Sequence, residues 1–226
     1  MTTAQTNLFQ EGTLTVLGAR GSAPASGSDF QKFGGHTSSM LARSSHAFVF
    51  LDAGTGIVDA GERIVQDKAA PKSIHFFVTH FHWDHVAGLP MFRPLHRPEF
   101  HITFHLAPEF LSMGKAAVSG LFAAPYFPVA WEDLVAKIEF QSMAEAVDID
   151  SLTVSRTKLN HPGGATGYRI NGPRHSVALI TDNEHETEGT PASVVTFCEK
   201  VDHLFYDAHF TPDEYEAHSG WGHSTW

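Results

Sequence analysis

The sequence predicts an α/β domain of stacked layers in which helices cover sheets. Three observations carry that expectation. Short β-branched or aromatic runs bounded by Gly and Ser recur along the chain, as strands do. An amphipathic stretch at helical spacing lies between Thr55 and Lys68. Ser73 to Thr79 is almost continuously apolar, the pattern of a strand buried on both faces. Alternation of the two kinds of segment in both halves argues against a bundle or a barrel.

In chain order, Thr13 to Leu17, Ser39 to Arg43 and Ala47 to Asp52 are strand-like. Ile57, Ala60, Ile64 and Val65 then form one helical face and leave Asp59, Glu62, Arg63 and Asp67 for solvent. After the buried strand, further strand-like runs follow at Phe100 to Leu106, Ile138 to Ser142, Leu152 to Lys158, Gly167 to Asn171, Ser176 to Thr181 and His203 to Tyr206. Helix-like segments lie near Glu109 to Val118, Trp131 to Lys137, Pro191 to Val201 and Pro212 to Ala217. The apolar stretch Leu121 to Trp131, with its two prolines, is either a hydrophobic lid or a packed connection. No repeat, charge block or linker divides the 226 residues, so a single domain spanning 1–226 is expected.

Composition narrows the function. Hydrophobic residues make up 42% and charged residues 18%, enough apolar material for a core and too little charge for a disordered chain. No apolar run approaches the roughly 18 residues of a membrane span, and MTTAQTNLFQEG lacks the basic start and apolar stretch of a secretion signal. A soluble, cytoplasmic protein without a membrane partner is expected. The net charge of −10 lacks the basic footprint of a general nucleic-acid binder, so long polyanions are not expected partners. The lone cysteine, Cys198, excludes an internal disulfide and a thiolate-rich zinc site, and on its helix it reads as a small buried residue. Metals would be held by nitrogen and oxygen, and the chain has 16 histidines to search.

The most informative stretch is Thr79-His80-Phe81-His82-Trp83-Asp84-His85, directly after the buried strand. Shuffled chains of this composition would produce its H-x-H-x-D-H pattern in about four cases per thousand. His80 and His82 can point the same way from an extended turn and share one metal, while Asp84 and His85 turn towards a second site beside it. The bland alternative is a polar turn that caps a helix at Asp84. His46, His75, His101 and His105 lie outside any motif and are read as structural or surface residues.

On this motif the sequence resembles the metallo-β-lactamase superfamily, and the resemblance runs nearly the whole length of the chain. It implies a four-layer αββα sandwich. It also implies a third histidine for the first metal, matched by His161 in Leu159-Asn160-His161-Pro162-Gly163-Gly164, and an aspartate bridging both metals, matched by Asp182 in Ala178-Leu179-Ile180-Thr181-Asp182. Taken singly, these two are a loop histidine and a helix cap.

Two segments look most like the branch that contains ribonuclease Z and related phosphodiesterases. Gly34-Gly35-His36-Thr37-Ser38-Ser39 is similar to its Gly-Gly-Asn-Thr-Ser segment, with His36 in place of Asn, and is either an ordinary turn or a substrate-facing loop. Gly222-His223-Ser224-Thr225 is similar to its Gly-His-Ser-Ser/Thr motif, with a glycine-rich surface turn as the alternative. In that branch the motif histidine protonates the leaving oxygen with help from a carboxylate, roles that fall on His223 and on Asp207 in Tyr206-Asp207-Ala208-His209.

The resemblance therefore implies a hydrolase that uses two divalent ions, Zn²⁺ or alternatively Mn²⁺ or Fe, to lower the pKa of a shared water. Its ligands would be His80, His82, His161, Asp84, His85 and Asp182, with Asp84, His223 and Asp207 in the chemistry. A small phosphodiester or cyclic nucleotide is the expected substrate, because the long arm of true ribonuclease Z is missing. Ester, lactone or thioester hydrolysis, or a degenerate member that binds nucleotide or metal, are the alternatives. The branch carries a last metal-binding histidine some tens of residues after Gly-His-Ser, and the sequence ends at Trp226. Three explanations follow: the chain lacks a natural C-terminal strand and helix, the second site is incomplete, or His209, His218 or His223 substitutes. The first would uncover a sheet edge and favour a homodimer.

Overall fold

The computed structural model describes residues 11–186 and 189–226. A six-stranded sheet has the order β1 (Leu14–Gly18), β2 (Ser39–Arg43), β3 (Ala47–Leu51), β4 (Ser73–Phe77), β5 (His101–Leu106), β6 (Lys137–Ser142). Strands β1 to β3 are antiparallel, and β3 to β6 run parallel. The second sheet has five strands, in spatial order β11 (His203–Tyr206), β10 (Ser176–Ile180), β9 (Ala165–Asn171), β8 (Leu152–Leu159), β7 (Ala146–Ile149). It is antiparallel except for the β10–β11 pair. The helices are α1 (Ile57–Gln66), α2 (Trp83–Val86), α3 (Leu111–Gly120), α4 (Ala192–Cys198) and α5 (Pro212–Tyr215). None is long and apolar enough to cross a membrane among the described residues.

Strand alternation builds the layers. Phe48 and Phe50 of β3 face outward with Ile74, Phe76, Ile102 and Phe104, where Ile57, Ala60 and Ile64 of α1 and Val118 of α3 cover them. The intervening Val49 and Leu51 face inward and meet Val154, Tyr168, Ile170, Val177 and Leu179 of the second sheet. On that sheet's far side, Ile180, Leu159 and Ala165 pack under Val194 of α4, with Cys198 partly buried at its edge. Helix, sheet, sheet and helix are stacked in that order: the fold is the αββα sandwich.

Several segments depart from expectation. Trp131 to Lys137 does not form a helix: Trp131–Asp133 make one 3₁₀ turn and Lys137 already begins β6, its amide bonded to the Phe100 carbonyl at 3.0 Å. Trp131, Leu134 and Ala136 pack against the core from an extended chain, so tertiary contact overrides their helix-like spacing. The edge strand β7 has no counterpart in the sequence reading, because four residues with two exposed polar or small members give almost no periodic signal. Leu121 to Trp131 is a packed connection: Phe122 is buried, with the rings of Phe127 and Trp131 each 5.5 Å from it.

Half-buried His75 and buried His105 are neighbours on the inner face of β4 and β5, joined by a 2.9 Å Nδ1–Nε2 hydrogen bond. His46 is exposed beside Asp150 and His101 lies 3.4 Å from Glu139, as expected of structural and surface histidines.

Candidate metal centre

The C-terminal ends of β3, β4, β8, β10 and β11 converge on one rim, the position where open parallel strands present functional groups. Each end delivers a side chain: Asp52 after β3, His80 after β4, His161 after β8, Asp182 after β10 and Asp207 after β11. Asp52 and Asp182 both take left-handed backbone conformations, with φ of 60° and 53°, which short polar residues tolerate better than most. Between β4 and α2 the chain turns sharply, so that His80 and His82 point to one place and Asp84 and His85 enter from the first turn of α2.

Side-chain atoms of His80, His82, His161 and Asp182 lie within 4.8 Å of one another. Their hydrogen bonds decide what faces the centre. The Gly222 carbonyl accepts from His161 Nδ1 at 2.8 Å, so His161 Nε2 presents a lone pair, 3.3 Å from His82 Nδ1. Thr79 Oγ1 donates to Asp52 and accepts from His80 Nδ1 at 3.1 Å. His80 Nε2 therefore also carries a lone pair; it is buried, has no hydrogen-bond partner and lies 3.7 Å from Asp182 Oδ1. Inward-facing lone pairs repel unless a cation sits among them. Two ligands about 2.1 Å from a tetrahedral ion stand roughly 3.4 Å apart, the scale of these spacings.

A second triangle shares Asp182. His85 Nε2 lies 3.2 Å from Asp182 Oδ2 and 3.5 Å from Asp84 Oδ2. The opposite nitrogen of His85, Nδ1, donates to Asp52 Oδ2 at 2.7 Å, the carboxylate–imidazole arrangement that fixes a metal-binding tautomer. Asp52 also accepts from the Thr79 amide at 2.8 Å and from Ser38 Oγ at 3.1 Å, so it is fully engaged in orienting neighbours.

The field matches this division. Burial, with His85 nearby, pushes His80 down to about 2. Burial and His161 lower His82. Burial opposes charge on His85, yet Asp52 and Asp182 hold it well above the ordinary imidazole value. Burial likewise opposes charge on Asp182, but the His85 contact holds its carboxyl well below the usual carboxylate range. The pocket thus keeps its carboxylate ionised and calls for positive charge between Asp182 and His85, which a divalent ion supplies. The donor set of nitrogen and oxygen fits Zn²⁺, Mn²⁺ or Fe.

On the far side of Asp182 stands His223, its Nδ1 3.8 Å from Asp182 Oδ1 and 2.9 Å from Asp207 Oδ2. Asp207 accepts as well from the amides of Asn183 at 3.2 Å and His209 at 3.0 Å. Burial opposes protonation of His223, but Asp207 raises its pKa and favours the protonated ring, with Nε2 left free of Asp207. His209 stacks on His223 at 4.3 Å, whereas His218 stacks on Phe210 and bonds to the Glu214 carbonyl. None of these three histidines joins the four-residue group among the described residues.

The two glycine-rich segments are structural parts of this centre. Gly222 has φ of 84°, and a Cβ there would fall 2.3 Å from His161 Nδ1, so only glycine lets this backbone approach the imidazole. Thr37 and Thr55 exchange amide-to-hydroxyl bonds of 2.9 and 3.0 Å, and Ser38 reaches Asp52, so Gly34 to Ser39 clasps the turn after β3. His36 is exposed, 3.2 Å from Thr55 Oγ1.

Sequence reasoning missed Asp52, Ser22 and Glu184. Asp52 ends a buried strand just as Asp182 does, a signal that was there to be read. Glu184, which binds the amides of Gly220 and Gly222 at 2.6 and 2.8 Å, carries no motif. Ser22, whose amide meets Asp84 Oδ2 at 2.7 Å, is equally silent.

A family model described as beta-lactamase superfamily domain matches residues 48–226. No curated protein matches the sequence. Among solved structures, the metallo-beta-lactamase fold protein YhfI from Bacillus subtilis is 16% identical with a TM-score of 0.63, over 94% of this chain and 76% of that one. A diphosphatase from the PhnP family is 21% identical, TM-score 0.62, over 94% and 78%. Human tRNase Z, short form, is 16% identical, TM-score 0.62, over 94% and 84%. At these identities the three likenesses establish the fold.

Proposed function

The chain belongs to the β-lactamase superfamily, most of whose members are metal-dependent hydrolases, and from that premise we propose that it is a dinuclear phosphodiesterase for small phosphodiesters or cyclic nucleotides. The observation that carries the reading is the placement of His223, hydrogen-bonded to Asp207, beside a cluster of inward-facing lone pairs. His80, His82 and His161 would hold one ion, Asp84 and His85 the other, with Asp182 between them. Such ions would neutralise phosphoryl oxygens and make a water acidic enough to attack phosphorus at neutral pH.

The chain's own groups do the rest. Asp52 and the Gly222 carbonyl fix the tautomers of His85 and His161, so that both present Nε2 inward. His223 would offer a proton from Nε2, which an alkoxide leaving group needs as the bond to phosphorus breaks. Asp207 keeps the proton in place by accepting from Nδ1. A thioester, which expels a stabilised thiolate, has less need of such an acid. The net charge of −10 favours a small substrate over a long polyanion.

The test compares the zinc-loaded protein on bis(p-nitrophenyl) phosphate, a panel of cyclic nucleotides, p-nitrophenyl acetate and a simple lactone. Turnover of the diesters with little or none of the carboxyl esters is expected. Preference for the carboxyl esters would replace the phosphodiesterase reading, and inertness towards all of them would leave a binding protein.

A further inference from the structure

The loop between β1 and β2 reaches across the rim to touch Asp84. Asp84 is nearly buried, and among the described residues the only hydrogen bond to its carboxylate comes from the backbone amide of Ser22, 2.7 Å from Oδ2. The same oxygen lies 3.5 Å from His85 Nε2. We infer that the Ser22 amide is a positioning group that holds Asp84 ready for the second metal ion, so that the β1–β2 loop, far from the ligand motif in sequence, sets the affinity of that half of the site. The inference rests on the dinuclear reading above.

The loop is built to hold this amide still. Ser22 has φ of 67°, a conformation that residues other than glycine rarely adopt. Around it, Arg20 donates its amide to His36 at 3.1 Å and Nε to the Ala23 carbonyl at 2.7 Å, and its guanidinium lies 4.9 Å from the centre of the Phe30 ring. Ala23 bonds back to Gly21, and Ala25 to Gly35, both at 2.9 Å. The chain crosses so closely there that a Cβ on Gly35 would fall on the Ala25 carbonyl oxygen. On its other side the loop passes close to the His209 ring: a Cβ on Gly21 would lie 3.4 Å from His209 Nδ1.

An amide suits this task chemically. It occupies one lone pair of the carboxylate and leaves others for a cation, and being neutral it does not compete with the ion for negative charge. A lysine or arginine in its place would offer the ion a competitor. Removing an orienting partner of a metal-binding side chain costs on the order of tenfold to a hundredfold in affinity.

The test replaces the Ser22 amide by an ester, incorporating the α-hydroxy analogue of serine so that the N–H is lost and the side chain kept. Ser22→Gly is the control, because it keeps the N–H and suits the left-handed backbone. Zn²⁺ binding is followed in two steps by competition with a chromophoric chelator. The ester should weaken the second step by on the order of tenfold or more and leave the first within about twofold, while Ser22→Gly changes neither. A first step and a circular-dichroism spectrum that match the wild type guard against misfolding of the ester protein. A second step of wild-type affinity in the ester protein overturns the inference. A wild type that binds fewer than two ions overturns the dinuclear reading itself, a separate and distinguishable failure.

Discussion

Asp52 and Asp182 sit at equivalent strand ends with nearly the same backbone twist, yet their surroundings give them different work. Asp52 is sealed, and its carboxylate is spent on Thr79, Ser38 and His85; Asp182 keeps both oxygens turned towards imidazole nitrogens. Replacing Asp52 by Ala should therefore weaken the second ion by about tenfold to a hundredfold without removing a ligand, as read by zinc titration. His223 calls for a kinetic test. His223→Ala should lower kcat by about 10²- to 10⁴-fold for an alkyl phosphodiester, whose leaving group needs a proton, and by much less for one that releases p-nitrophenolate. Equal losses on both substrates would assign His223 a structural role. Of these residues, the H-x-H-x-D-H cluster was legible from sequence because its ligands are close together and follow a buried strand. Asp52 was legible in the same way as Asp182, at the end of a buried strand; Ser22 and Glu184 were not, because what they orient comes from elsewhere in the chain and the contacts exist only after folding.

Among the elements, the Gly220–Ser224 segment does most to couple fold and site. Glu184 grips its amides, the Ser224 hydroxyl donates to the Asn183 carbonyl, and the Gly222 carbonyl sets the His161 tautomer. Gly222→Ala adds a methyl group 2.3 Å from His161 Nδ1 and Pro162 Cδ at a positive φ, so His161 must move. First-site zinc affinity should fall together with stability, the latter by roughly 1–3 kcal/mol.

The β4–β5 pair supplies a second prediction at this scale. Burial, reinforced by neighbouring imidazoles, lowers His75 and His105 to about 4 from 6.5. Between those values the unfolded chain binds protons that the folded one refuses. Stability is therefore full above pH 6.5 and falls as the pH drops towards 4, by about 2 kcal/mol for this coupled, partly solvated pair. Denaturant titrations of the His75→Leu/His105→Leu double variant should show a flatter dependence over that range. An unchanged slope would place the proton uptake elsewhere. Strands with continuous apolar runs and the amphipathic α1 were readable from sequence for the same reason that they are buried. The four-residue β7 and the extended stretch before β6 were not, since neighbouring elements dictate their conformation.

Over the whole molecule, two sheets packed face to face bring the ends of five strands to one rim, and that convergence is what turns scattered residues into a site. The chain separation is large: Asp52, His80, His161, Asp182 and Asp207 meet only because β8, β10 and β11 run in one direction and stack against the parallel half of the first sheet. The sandwich was legible as a layered α/β fold from periodicity, and as αββα from the motif resemblance. The central claim is that this rim holds two ions that share Asp182. Zinc content per chain by plasma emission spectroscopy, measured with bis(p-nitrophenyl) phosphate hydrolysis for wild type and Asp182→Ala, tests it most directly. The account predicts about two ions and turnover in the wild type, with both ions weakened and turnover lost in the variant. One ion or none in the wild type, or undiminished turnover in Asp182→Ala, would contradict it.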